Sequence, residues 1–358
     1  MDRSLLNKLL GRKIFTYCLL FSLAIAVACG QLDSAGKLAS LNPEAESAIK
    51  PIKVAVISDL NSQYGSTAYE PEIAKAINLI TTQWHPDLVL GGGDAIAGQK
   101  TSLSDANVRA MWQTFDTEVA KPLREAQIPY AFTIGNHDGS GAVSNGEYKF
   151  QRDRDFASQY WNDPQHLPKL NFVDKANFPF YYSFEQNQIF YLVWDASTHK
   201  LDPKQLAWVE QTLNSKPAQQ AQMQIAIGHL PLYPVAETKN KLGEYLAEGS
   251  QLQALLEKYQ VHTYISGHHH AYYPGKKASL ELLYAGALGQ GARKLIGSDL
   301  PGQNTITMME IDPQTALTSY QTYDIKTLDL IDEQKLPTQI VSEPGLIWRR
   351  DITNASKA

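Results

Sequence analysis

IKVAVISDLN, residues 52–61, decides how the rest of the chain is read. It is a short β-branched run that stops at Asp59, and such a run predicts a buried strand with a polar residue at its carboxyl end. The same layout returns twice. DLVLGGGD (87–94) carries an apolar run through three glycines into Asp94, and IPYAFTIGN (128–136) ends at Asn136. Between the first two runs, Pro71 stands at a helix start, with Ile73, Ile77, Ile80 and Trp84 at helical spacing. Residues 105–125 read as a second helix. The order β-α-β-α-β predicts an α/β fold with neighbouring parallel strands and helices packed outside. Asp59, Asp94 and Asn136 then sit at the edge where open α/β sheets bind ligands.

Further along, FPFYYSFE (178–185) and QIFYLVWDAS (188–197) flank a short Gln/Asn turn and predict an antiparallel hairpin. Asp202, Pro203 and Gln205 read as a helix start, with Asp202 as cap and Gln205 as its capping-box partner. Leu206, Val209 and Leu213 would form the buried side of that helix. QIAIG (224–228) and VHTYISG (261–267) are two more strands, each running into histidine. Strands at about 279–285 and 304–311 are expected to complete a second sheet. From Pro313 the chain becomes a polar tail without a placement.

The N-terminus has its own logic. Arg3, Lys8, Arg12 and Lys13 precede an apolar run from Ile14 to Val27, which is too short for a comfortable membrane span. Small residues then lead into Cys29, the layout of a lipoprotein-type signal in which that cysteine is acylated. Plain secretion and an uncleaved anchor helix are the competing readings. Residues 29–50 are polar and Ala/Ser-rich and read as a linker. The expected division is thus a signal peptide at 1–28, a linker at 29–50, one domain at 51–312 and an extension of unassigned role at 313–358. Export to the periplasm or cell envelope follows, with a lipid on Cys29 as the membrane contact.

Composition sets outer bounds. The 358 residues are 43% hydrophobic and 19% charged, an ordinary globular balance. Without residues 1–28 the chain loses four basic residues and Asp2, leaving a net charge of −8. That balance argues against a dedicated nucleic-acid surface, which needs many cations to displace counterions. It does not argue against a small phosphorylated substrate, because bound metals supply positive charge locally. Cys18 lies within the signal, so Cys29 would be the single cysteine left and cysteine catalysis is excluded.

The strand ends together offer Asp59, Asn61, Asp94, Asn136, His137, His229, His268 and His270. Buried polar groups of this kind cost several kcal/mol each unless paired or metal-bound (roughly 2–7 for a neutral group). Oxygen and nitrogen donors without thiolate suit Mn, Fe, Zn or Mg. The ordered set SDLN (58–61), GGD (92–94), GNHD (135–138), GHLP (228–231) and GHHH (267–270) resembles the calcineurin-like metallophosphoesterases across residues 52 to about 311. LDPKQLAWVEQTL (201–213) also looks like a helix common in that family.

The resemblance implies a four-layer α/β/β/α sandwich of two mixed β-sheets flanked by helices. It implies two divalent metal ions, with Asp94 bridging them, Asp59 and His270 on the first, and Asn136, His229 and His268 on the second. His137 would stand beside the leaving-group oxygen as the catalytic residue, and a hydroxide held between the metals would attack phosphorus. His269 points away from its neighbours on an extended chain and is not expected to be a ligand. One motif departs from the pattern. Asn61 stands where the family has histidine, either as a weaker ligand for a hard ion or as a hydrogen-bonding neighbour of the site. Three functions fit: hydrolysis of phosphomonoesters or phosphodiesters, binding of a metal or phosphoryl ligand without turnover, and a scaffold that keeps only the fold. The glycines at 91–93 and at 286, 289 and 291 match neither nucleotide-loop pattern and read as close-turn residues. The loop Gly139–Glu147, directly after His137, could border the substrate pocket.

Overall fold

The computed structural model describes residues 50–312 and 314–352; the expected signal, Cys29 and the linker up to residue 49 lie outside them. The opening strand β1 (Ile52–Ile57) pairs in parallel with β2 (Leu88–Gly91), and β2 pairs in parallel with β3 (Tyr130–Phe132). Beyond β3, β4 (Val143–Ser144) and β5 (Glu147–Tyr148) make a small hairpin. The second sheet opens with β6 (Asn171–Asn177), β7 (Tyr181–Gln186) and β8 (Ile189–Val193) in antiparallel succession. It continues in parallel through β9 (Met223–Ile227) and β10 (Thr263–Ser266). The strands β11 (Tyr273–Lys277) and β12 (Leu280–Tyr284) follow, β12 lying parallel to β10.

Strand β13 (Thr305–Ile311) departs from expectation. It pairs antiparallel with β1 and belongs to the first sheet, not the second. An apolar run shows that a strand is buried but not which free edge receives it. Here β1 had one edge still open, and β13 covers it. The segment after Pro313 then supplies three more strands. β14 (Thr318–Asp324) pairs with β13, while β15 (Gln339–Ser342) and β16 (Gly345–Arg349) extend the second sheet beside β11. β14 and β15 are outer strands with exposed residues, which is why their sequence reads as polar. The orders are β14-β13-β1-β2-β3 and β15-β16-β11-β12-β10-β9-β8-β7-β6.

The two faces of the first sheet divide with the period of a strand. Val54, Val56, Leu88 and Leu90 share a core with Tyr182, Tyr191, Ile225 and Ile265 of the second sheet. Ala55, Ile57 and Val89 pack instead under the helices Pro71–Leu79, Asp105–Phe115 and Gln151–Asn162. The helices Pro203–Leu213 and Gly249–Lys258 join the first of these cores through Val209, Leu213, Leu252 and Leu256. Mixed sheets flanked by helices are therefore the architecture. Residues 105–125 form a helix to Phe115, a wider turn to Ala120 and a last turn Lys121–Glu125, where Pro122 has no N–H for the ladder. Asp202 caps its helix through Lys204, but Gln205 closes no capping box. Its side chain grips both backbone polar groups of Asp195, a buried demand that outcompetes the local bond.

Candidate metal centre

Five strands end at one place. β1 delivers Asp59, β2 Asp94, β3 Asn136, β9 His229 and β10 His268, so the carboxyl edges of both sheets face each other across the site. The turns that follow are tight. Asp59, Asp94, His268 and His270 all adopt left-handed backbone conformations, with φ of 52°, 56°, 64° and 52°. Non-glycine residues held there cost about 1–3 kcal/mol each and persist only where the surroundings dictate them. Gly93 allows the approach of the second sheet: its φ is +93°, and a Cβ there would lie 2.6 Å from His229 Nδ1.

The side chains form two linked groups. In one, Asp94 Oδ2 lies 3.2 Å from His229 Nε2, which is 3.0 Å from Asn136 Oδ1 and 3.2 Å from His268 Nδ1. Ligand atoms of Asp94, His229 and His268 all fall within 4.8 Å of one another, and all three residues are buried. In the other, Asp59 Oδ1 is 3.2 Å from His270 Nε2. The His268 N–H donates to both Asp59 oxygens, tying the groups together. Asn61 is buried beside them, donating its backbone N–H to the Asp94 carbonyl. Its Oδ1 accepts no hydrogen bond and its side chain borders a small cavity with Tyr69, Ile96 and Thr114. An orphaned buried acceptor is one that a cation or a bound donor would satisfy.

Electrostatics hold these groups ionised against burial. Burial pushes Asp94 up, but His229 and His137 outweigh it and hold the carboxyl well below its usual range. Burial likewise opposes ionisation of Asp59, and His270 overcomes it. Burial pushes His229 down, yet Asp94, Asp59 and the Gly92 carbonyl raise it to about 9. In the metal-free chain the His229 proton thus takes the place of a cation. A metal bound there displaces it, as deprotonated ligands require.

Ring orientation is fixed from outside. His229 Nδ1 lies 2.8 Å from the Gly92 carbonyl, His137 Nδ1 3.3 Å from that of Gly98, and His270 Nδ1 3.0 Å from that of Gln290. A carbonyl only accepts, so each Nδ1 carries hydrogen and each Nε2 is the nitrogen turned to the site. His137 Nε2 stands 3.9 Å from Asp94 Oδ2, and the His137 backbone N–H donates to Asp94 Oδ1. The ring also packs on Tyr64, centroids 4.8 Å apart. Asn136 is aimed by Gln99, whose Oε1 accepts from Nδ2 at 2.7 Å and leaves Oδ1 facing His229. Gln99 and Tyr64 belong to no motif and were invisible in the sequence. His269 is buried away from the centre: Nδ1 accepts from Val235 and Nε2 donates to the Glu244 carbonyl.

Asp138 is structural. Oδ1 accepts from the Ile96 N–H at 2.9 Å and Oδ2 from the Gly135 N–H at 2.8 Å. Burial and the nearby Asp94 charge push it up to about 7. Asp138→Asn sets an NH₂ against one of those N–H groups and should cost about 1–3 kcal/mol, seen as a lower urea midpoint of the metal-free protein.

Two hollows lie nearby. An open groove of about 380 Å³ is bordered by Ser62, Gln63, Tyr64, Glu70 and Gln290; it adjoins His137 through Tyr64 and His270 through Gln290. A larger cavity of about 730 Å³ is bordered by Gly141, Ala142 and Val143 of the loop after His137, with Tyr148, Arg154 and Lys200, and by none of the candidate ligands.

The calcineurin-like phosphoesterase family profile matches residues 52–272. No curated protein matches the chain significantly. Among solved structures, purple acid phosphatase PPD1 from yellow lupin (Lupinus luteus) seeds superposes with a TM-score of 0.58 at 16% identity, over 79% of this chain and 53% of that one. The chain therefore spans about half the length of the lupin protein. GAP50, the anchor in the inner membrane complex of Plasmodium, superposes with a TM-score of 0.53 at 12% identity, over 79% and 87%. At such identities the likeness is one of fold.

Proposed function

Since the chain belongs to the calcineurin-like phosphoesterases, we propose that it hydrolyses small phosphate esters using two divalent cations at the facing edges of its sheets. The observation that carries this reading is the buried cluster of Asp94, His229, Asn136 and His268 beside the Asp59–His270 pair. Such groups are too costly to bury as scaffold, and their oxygen and nitrogen donors fit Mn, Fe, Zn or Mg. Asp94 would serve both cations, Asp59 and His270 would hold one, and Asn136, His229 and His268 would hold the other. Bound there, the cations polarise phosphoryl oxygens and make water nucleophilic near neutral pH. The rest is done by the chain. Gln99 keeps the Asn136 oxygen turned inward, and the Gly98 carbonyl keeps His137 Nε2 turned to the site, where the imidazolium form would give its Nε2 proton to the departing oxygen and be left neutral. Tyr64 and Gln290 wall the groove that receives the leaving group.

The test is hydrolysis of a nitrophenyl phosphate monoester and its bis-ester by metal-stripped protein resupplied with Mn²⁺. Turnover of either ester, abolished by chelator, is expected; no turnover with Mn²⁺, Zn²⁺, Fe²⁺ or Mg²⁺ would sink the reading. A second reading, binding without turnover, is favoured by one observation: the unpartnered Asn61 Oδ1 at the position of the family's histidine. GAP50, the anchor in the inner membrane complex of Plasmodium, shares the fold. Turnover by the wild type in that assay separates the two, and Asn61→His reports on the amide. A gain in metal content or rate marks the native amide as a weakened ligand, whereas loss of activity marks a site specialised around it.

Export and lipid attachment at Cys29 belong to the same proposal, supported by the basic start, the apolar run and the small residues before the cysteine. Cys29→Ser should abolish incorporation of labelled fatty acid and move the protein to the soluble fraction. Unchanged labelling excludes lipidation at that residue.

A further inference from the structure

We infer that Glu244, on the loop 231–248, is a positioning residue for the metal centre, and that this loop is a strap which presents His268 to the cation. The inference rests on the reading of His268 as a ligand. Three of the four histidines at the site are oriented by backbone carbonyls through Nδ1. His268 is the exception. It is turned the other way, with Nε2 outward and 2.9 Å from Glu244 Oε2, and Nδ1 inward, 3.2 Å from His229 Nε2. An ionised carboxylate only accepts, so the hydrogen belongs on Nε2 and the inward nitrogen is left with its lone pair. A carboxylate–histidine–metal relay of this kind fixes ring and tautomer and raises ligand basicity.

Glu244 is itself held at two further points. Lys239 Nζ lies 2.7 Å from the same Oε2 and 3.3 Å from His268 Nε2. The Glu244 carbonyl accepts from His269 Nε2 at 2.9 Å, and His269 Nδ1 takes the Val235 N–H at 3.2 Å. One glutamate thus engages two consecutive histidines of GHHH, the first through its carboxylate and the second through its backbone. Further anchors lie beyond His270: Ile296 N–H donates to the Val235 carbonyl at 2.8 Å, and Glu237 N–H to that of Lys294 at 3.1 Å. The middle histidine, which has no ligand role, ties the strap to the motif. Neither Glu244 nor Lys239 lies in any of the five motifs.

The experiment compares Glu244→Ala and Glu244→Gln with wild type as full-length protein, reading Zn²⁺ affinity and stoichiometry by chelator competition. Circular dichroism and urea midpoints of the metal-free forms run alongside. Glu244→Ala is expected to weaken one of two cations about 10–100-fold and leave the other unchanged. Glu244→Gln, whose amide oxygen still accepts, should lose less, about threefold or more. Two cations bound by a folded Glu244→Ala protein with wild-type affinity would overturn the proposal, as would a wild type that takes up no metal. Should Glu244→Ala fail to fold, Glu244→Gln and Lys239→Met decide: weakened uptake of one cation supports the strap, and unchanged uptake in both overturns it. Affinity and turnover are separate readouts. Metal uptake without hydrolysis would fail the esterase reading and leave this one standing, and hydrolysis with an indifferent Glu244 would do the reverse.

Discussion

Asp94→Asn is expected to reduce hydrolysis of either nitrophenyl ester by about a thousandfold or more, and to lower bound metal from two ions per chain towards one. The substitution keeps the shape of the side chain, so the backbone N–H of His137 can still be accepted by the amide oxygen. What disappears is the charge shared between the two groups of ligands. A second readout checks that the loss is electrostatic. In the metal-free protein, His229 is raised to about 9 against the pull of burial, chiefly by Asp94. A histidine whose folded value exceeds its unfolded value of about 6.5 gives stability that is complete below that value. It is lost as pH rises through 9. Urea midpoints of metal-free wild type should therefore fall between pH 6.5 and 9.5, and Asp94→Asn should flatten most of that fall. Full activity in Asp94→Asn would remove the bridging role.

His137→Ala carries the second large effect. The ring lies outside the tight donor cluster, 3.9 Å from Asp94, and is oriented by the Gly98 carbonyl. Its removal should therefore leave metal content near wild type while kcat falls about 10²–10⁴-fold for an alkyl phosphate, whose departing oxygen needs a proton. For a nitrophenyl ester, which leaves readily as the anion, the fall should be much smaller. Equal losses for both esters would assign His137 to charge stabilisation, and a loss of metal would assign it to the structure of the centre.

Residues far apart in the sequence meet here because each lies two to four residues past the end of a strand. A strand is a local event, since an apolar run must be buried and a polar residue must end it. Asp59, Asp94, Asn136, His229 and His268 could therefore be placed at one edge before any contact was known. His137 and His270 came with them as neighbours in the same turns. Gln99, Tyr64, Lys239 and Glu244 could not be foreseen. They reach the site from loops whose paths depend on the finished sheets, and amides, tyrosines and carboxylates in loops are ordinarily solvent residues.

By itself the sequence determined the α/β class, the buried strand runs and the chemical type of the donors, because these follow from local patterns of polarity. The tertiary structure decided which sheet took residues 305–311 and that the polar stretch after residue 313 became outer strands, because edge pairing depends on which edges remain open. It also decided which nitrogen of each histidine faces the site. That choice rests on the partner of the other nitrogen, a carbonyl for His229, His270 and His137 and the Glu244 carboxylate for His268. For three of those four rings the partner comes from more than 20 residues away, and for His270 it comes from 20 residues away, beyond β11 and β12, distances over which a single sequence carries no pairing signal.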